Sequence, residues 1–248
     1  WLENRKTGYV PWLRFAGYSL LAGGTGMVLI IPTAIILGYS GNQGISFPES
    51  IEWYFNIIAE LSRHLILSQP YTTGDGHWPN LYCGVFVLVL LVMYLCNRKI
   101  TWQSKVARML LLAFLVVSFA NNLLDFIWHG LHFPNSLPAR ESFIYIFLLV
   151  IMSYESIIHL KDFTKKQLFG ALGFAVGIIL LIEELYVNAD YSFEIIYVSL
   201  IFIGFYGILM YAYSNKTLKR NFIVYLLFVV CIAEATINSD HEDSYKTT

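Results

Sequence analysis

Seven stretches of this chain are almost continuously apolar, at about residues 12–38, 81–97, 105–127, 140–160, 167–188, 192–214 and 221–238. A helix needs about 20 mainly apolar residues to cross the hydrocarbon core of a bilayer, so each stretch predicts a spanning helix. The second and seventh are short and must borrow flanking residues. None alternates in polarity, which argues against membrane strands. The first holds Gly23, Gly24 and Pro32, a combination that predicts a kink or close packing. In the long connection 39–80, Ile51, Phe55, Ile58 and Leu61 recur at helical spacing and predict an amphipathic helix over 48–61, lying along the interface. Pro70 to Pro79 then reads as a turn-rich loop.

Composition turns this pattern into a class. Of 248 residues, 57% are hydrophobic and only 13% charged, with 17% aromatic, where a soluble domain carries about 25% charged residues. The expectation is an all-α integral membrane protein, a seven-helix bundle. The net charge of −1 offers no basic face for nucleic acid. Cys83, Cys96 and Cys231 are odd in number and lack metal-ligand spacing, so they read as small apolar packing residues. No metal centre is assigned.

Charge gives the orientation. With seven spans, 13 of the 16 Lys and Arg fall on one side and only Arg63, Arg140 and Lys246 on the other. The positive-inside rule then predicts a cytoplasmic start and an extracytoplasmic end. A seven-helix receptor has the opposite orientation, and a retinal protein needs a lysine that the seventh run lacks. The transmembrane domain is expected over 1–238, with 239–248 beginning an extracytoplasmic segment. A start at Trp1 and a polar end read as a piece of a longer protein.

Ionisable residues inside spans are costly and mark function. Asp125, Glu183, Glu184 and Glu234 all fall in the outer third of their runs. Glu155, four residues before His159, reads as a snorkelling or locally paired carboxylate. Asn121, Asp125 and His129 follow at i, i+4, i+8, so a helix continuing that far lines them up as a polar stripe, with Asn122 beside them and His132 one turn on. Arg140, beyond two prolines, suits a phosphate through its guanidinium fork, although a lone arginine there also reads as an interfacial anchor. Glu183 and Glu184 point in different directions on a helix, so at most one shares a cavity with Asp125 and Glu234. Such carboxylates can do acid/base work or hold a divalent cation; the alternative is an interhelical hydrogen-bond network.

The stretch Trp128-His129-Gly130-Leu131-His132-Phe133-Pro134-Asn135-Ser136-Leu137-Pro138-Ala139-Arg140-Glu141-Ser142-Phe143 resembles a motif of the YfhO family of bacterial multi-span membrane proteins. Pro79-Asn80-Leu81-Tyr82-Cys83-Gly84 and Glu234-Ala235-Thr236-Ile237-Asn238 are similar to two further family segments, and the order fits across about 10–248. The resemblance implies a GT-C-type glycosyltransferase architecture in the bacterial plasma membrane. It also implies transfer of a sugar from a polyprenyl-phosphate donor to a cell-wall polymer such as lipoteichoic acid, on the extracytoplasmic face. On that reading Arg140, His129, His132 and Asn135 meet the donor phosphate, and Asp125, Glu183 and Glu234 are candidates to support catalysis. No cofactor is implied with certainty, and partners are the lipid-linked sugar, membrane lipids and the polymer acceptor. GT-C enzymes keep a catalytic carboxylate in the first outer loop, and if the chain begins after that loop the residue is absent, as is a large outer domain after Asn238. The competing functions are a lipid or polymer transporter, which calls for polar residues at the bilayer midplane and on both sides, and a structural membrane subunit.

Overall fold

The computed structural model describes residues 9–39, 47–71, 76–133, 139–186, 193–215 and 217–246. Each apolar run carries helix: α1 (Val10–Tyr39), α2 (Phe86–Cys96), α3 (Trp102–Ala120) followed by α4 (Asn122–Trp128), α5 (Ser142–Ile158), α6 (Lys165–Tyr186), α7 (Phe193–Asn215) and α8 (Arg220–Lys246). Five are long and apolar enough to cross a membrane: Val10–Ile36, Trp102–Ala120, Lys165–Leu185, Phe193–Asn215 and Arg220–Ser239. No strand occurs among the described residues, only the isolated bridge Trp53–Asn121.

The chain divides into two units, Trp1–Phe47 and Pro48–Thr248. In the first, α1 runs 30 residues and continues through Pro32, with the Thr33 hydroxyl bonding back to the Leu29 carbonyl at 2.7 Å. In the second, α2 is the hub. Its residues enter both apolar cores, one shared with α6 and α7 and the other with α3 and α5. A helix that is apolar all round belongs inside a bundle, and α2 needs no bilayer length of its own.

Two expectations of length are corrected. The run 81–97 yields only 11 helical residues, about 16 Å at the helical rise. Its first part is held out of the helix by Glu234, whose Oε1 accepts from the Tyr82 hydroxyl (2.8 Å) and the Val85 N–H (2.7 Å). Between them Gly84 takes φ +97°, a conformation that side-chain-bearing residues resist. At the other end Lys105 donates its ammonium to the Leu95 and Asn97 carbonyls, a cation closing the negative end of α2.

The run 105–127 is not one helix either. Asn121 is extended (φ −114°, ψ 124°) and splits it into α3 and α4. The cause lies 70 residues away, where the extended segment 50–54 docks against the break through the isolated bridge Trp53–Asn121. Tyr54 N–H donates to the Ala120 carbonyl (2.9 Å) and Asn122 N–H to the Glu52 carbonyl (3.1 Å). The Asn122 side chain accepts from Glu52 N–H and donates to the Ser50 carbonyl, both at 2.9 Å. These bonds satisfy backbone groups that the break would orphan. They also overturn the amphipathic helix expected over 48–61. Ile51 and Ile58 are exposed, and only a 3-10 segment, Ala59–His64, is helical there.

The ends of this unit differ in chemistry. One gathers the 3-10 segment, the start of α2, α4 and Glu234. The other carries the basic residues, where Lys99 pairs with Asp162 at 2.7 Å and Arg108 of α3 with Glu155 of α5 at 2.8 Å. Glu155 is thus paired with an arginine across helices.

Candidate functional site

Asp125 is the centre of the α4 cluster. The Asn121 side chain caps α4, accepting from the Leu123 and Leu124 N–H groups at 3.1 and 3.2 Å. One turn on, Asp125 is 2% exposed, its Oδ2 accepting from the Tyr54 hydroxyl at 3.0 Å. Burial, then the Asp125 carboxylate, holds the Tyr54 phenol well above its ordinary 10.0. The His77 ring stacks on Tyr54 at 3.8 Å. His129, which ends α4, turns Nδ1 toward two acceptors of Asp125: the backbone carbonyl at 2.8 Å and Oδ1 at 3.1 Å. Both neighbours accept, so Nδ1 carries the proton in the neutral ring and Nε2 is left as the acceptor. Nε2 is buried without a hydrogen-bond partner among the described residues, as is Oε1 of Glu141. Glu141 lies within electrostatic reach of both Asp125 and His129.

The expected stripe survives in part. Asp125 and His129 meet, while the side chains of Asn121 and Asn122 are spent on the cap and on the docked segment 50–54. His132 turns Nδ1 to the Phe133 carbonyl instead of to Asp125. Arg140 is exposed just before α5, and Asn135 lies outside the described residues.

Glu234 forms a second, separate cluster. Besides Tyr82 and Val85, it accepts from the Tyr206 hydroxyl on Oε2 at 2.5 Å, so both oxygens are occupied. One turn further, Asn238 Oδ1 accepts from the Leu67 N–H at 2.9 Å. Glu183 is half-buried and Glu184 exposed; neither joins Asp125 or Glu234 in any described hydrogen bond or ion pair. No group of three or more His, Cys, Asp or Glu side chains could hold a metal ion among the described residues.

Three residues of the 3-10 segment escaped the sequence reading. Glu60 is 1% exposed with neither carboxylate oxygen hydrogen-bonded, and burial raises its carboxyl from 4.5 to about 8. His64 turns Nδ1 to the Leu61 carbonyl and Nε2 to the Tyr145 hydroxyl at 3.0 Å, and burial lowers its ring from 6.5 to about 4. Arg63, 3% exposed, donates Nε to the Pro79 carbonyl (3.1 Å) and Nη2 to the Gln69 carbonyl (2.7 Å) and Asn80 Oδ1 (3.0 Å). One signal was available: Arg63 is one of only three basic residues on the sparse side of the charge count. The larger cavities lie elsewhere, at the basic end beside Lys99 and in an apolar groove between α6 and α7.

Apolar helices of membrane length around a core threaded by buried polar clusters define a multi-pass membrane protein. The family model described as bacterial membrane protein YfhO matches residues 1–245, and the chain belongs to the YfhO family. Its place is the bacterial membrane. No curated protein and no solved structure matches it.

Proposed function

We propose that this chain is the membrane core of a glycosyltransferase. It moves a sugar from a polyprenyl-phosphate carrier to a hydroxyl of a cell-wall polymer, such as a lipoteichoic acid, on the extracytoplasmic face. The observation that carries the reading is the Asp125–His129 pair, in which one imidazole nitrogen is fixed by two acceptors and the other, buried, has no described partner. That is the arrangement of a general base held in one tautomer. Support for the side comes from the charge count, which sets these groups opposite 13 of 16 basic residues.

In the reaction the acceptor hydroxyl gives its proton to His129 Nε2 as its oxygen bonds to the anomeric carbon. The bond from that carbon to the carrier phosphate breaks, and the electron pair leaves with the phosphate. Asp125 and Glu141 stabilise the imidazolium, and Arg140 meets the charge on the departing phosphate. Glu234, already saturated by three donors, acts as a structural tie between α8, α7 and the entry to α2.

The test is transfer of labelled sugar from a polyprenyl-phosphate donor by the intact protein in nanodiscs. His129→Gln and Asp125→Asn should lose most activity at normal folded yield. Native rates in both would remove the pair from the reaction.

A further inference from the structure

We infer that the cavity beside Arg63 is a phosphate-binding site. It is a space of about 170 Å³ lined by Arg63, Ser68, Pro70, Asn80, Leu81 and Tyr82.

A guanidinium that is 97% buried keeps its charge, because arginine does not deprotonate in proteins. Buried charges are paired with an opposite charge or they are costly. Arg63 makes no ion pair among the described residues. Its three hydrogen bonds all go to neutral acceptors, through Nε and Nη2. They fix the plane of the fork and leave Nη1 uncommitted. The Tyr71 ring covers one face of the guanidinium at 4.7 Å, and Arg63 lines the cavity. Glu234, which accepts from the Tyr82 hydroxyl, has both oxygens engaged.

The backbone is built to this purpose. Leu67, next to Ser68, is held at φ +62°, a left-handed conformation that residues with a β-carbon resist. Asn238 fixes it there through the Leu67 N–H. Strain of this kind persists where the surroundings over-determine it, and it gathers at ligand sites. Here it sets Ser68 in the lining of the cavity and turns the Gln69 carbonyl to Arg63. A pre-oriented guanidinium with Nη1 uncommitted can donate a charge-assisted hydrogen bond to a phosphate oxygen. The ligand chemistry is a phosphate group, either on a prenyl lipid or free in solution, and the site stands on this geometry whether or not the transfer reaction is right.

The experiment uses the intact chain in nanodiscs of neutral phosphatidylcholine, with unfolding temperature as the readout. One arm titrates inorganic phosphate against chloride at constant ionic strength. The other incorporates a prenyl phosphate into the nanodisc. Arg63→Ala would lose the loop ties as well as the charge, so the informative variants are Arg63→Lys, which keeps the charge without the planar guanidinium, and Ser68→Asp, which sets a carboxylate against the guanidinium. The native protein should be stabilised in at least one arm; stabilisation by prenyl phosphate alone identifies a lipid headgroup, and stabilisation by both identifies the phosphate group itself. Arg63→Lys should weaken the response at least tenfold in phosphate concentration, and Ser68→Asp should abolish it. No stabilisation in either arm would overturn the site, as would an equal response in native protein and both variants. So would an absent response accompanied by destabilisation in Asp75→Asn, which would assign the counter-charge to the chain itself.

Discussion

Asp125 and Glu234 look alike in the sequence, each an acid near one end of an apolar run, yet their surroundings differ in kind. Glu234 is enclosed by donors: two phenols and a backbone N–H leave neither oxygen without a partner. Asp125 is enclosed by groups that themselves remain incomplete among the described residues, a histidine with an unbonded nitrogen and a neighbouring glutamate with an unbonded oxygen. A saturated carboxylate can only hold the structure together. One that orients an unsatisfied imidazole can move a proton. The lesson is that intramembrane acids are sorted by what their partners have left over, not by depth.

The widest-reaching way to break the comparison is topological, because both clusters must face outward for the account to hold. A cysteine introduced at Asp75 or Ser136 should react with an impermeant probe on intact cells, and one at Lys165 only after permeabilisation. The reverse pattern would put both clusters in the cytoplasm. Next comes His129→Gln, for which the transfer rate should fall by about 10²–10⁴-fold, the usual size of a general-base contribution, while the unfolding temperature stays close to native. Glu234→Leu should do the opposite, leaving three buried donors unsatisfied at about 1–3 kcal/mol each. The expected outcome is a large fall in thermal stability and folded yield, partly restored in Glu234→Gln.

A smaller effect separates the 3-10 segment from both clusters. Glu60 is neutral when buried, so its contribution to stability is fully present below its ordinary 4.5 and is lost as pH rises through about 8. His64 runs the other way, contributing above its ordinary 6.5 and losing that as pH falls through about 4. The two slopes oppose each other between 4.5 and 6.5. From 6.5 to about 8 only Glu60 of these two titrates, so its contribution to stability should fall by about 2 kcal/mol across that window. Glu60→Gln should flatten the fall, and unfolding temperature against pH is the check. Smallest is Asn121→Ala, expected to cost about 1 kcal/mol through loss of the α4 cap.

What was legible in the sequence follows from the range of the forces. The helices could be read, because an apolar run of bilayer length needs no partner to declare itself. The Asp125–His129 contact could also be read, since i, i+4 spacing within α4 is local and survives the break. The break itself could not. Asn121 sits within a long apolar run, and what extends it is backbone pairing with Glu52 and Tyr54 from a distant loop. The truncation of α2 likewise depends on Glu234, about 150 residues away. The amphipathic pattern at 48–61 misled for the same reason: long-range backbone pairing outweighed a weak helical periodicity.

The central claim is that the Asp125–His129 pair, and not the Glu234 cluster, carries the transfer chemistry. It is tested most directly by sugar transfer per mole of folded protein in nanodiscs, comparing native protein with His129→Gln and Glu234→Gln. Loss of at least 100-fold in His129→Gln, with Glu234→Gln within a few-fold of native, is the predicted result. A fully active His129→Gln beside an inactive but folded Glu234→Gln would contradict it.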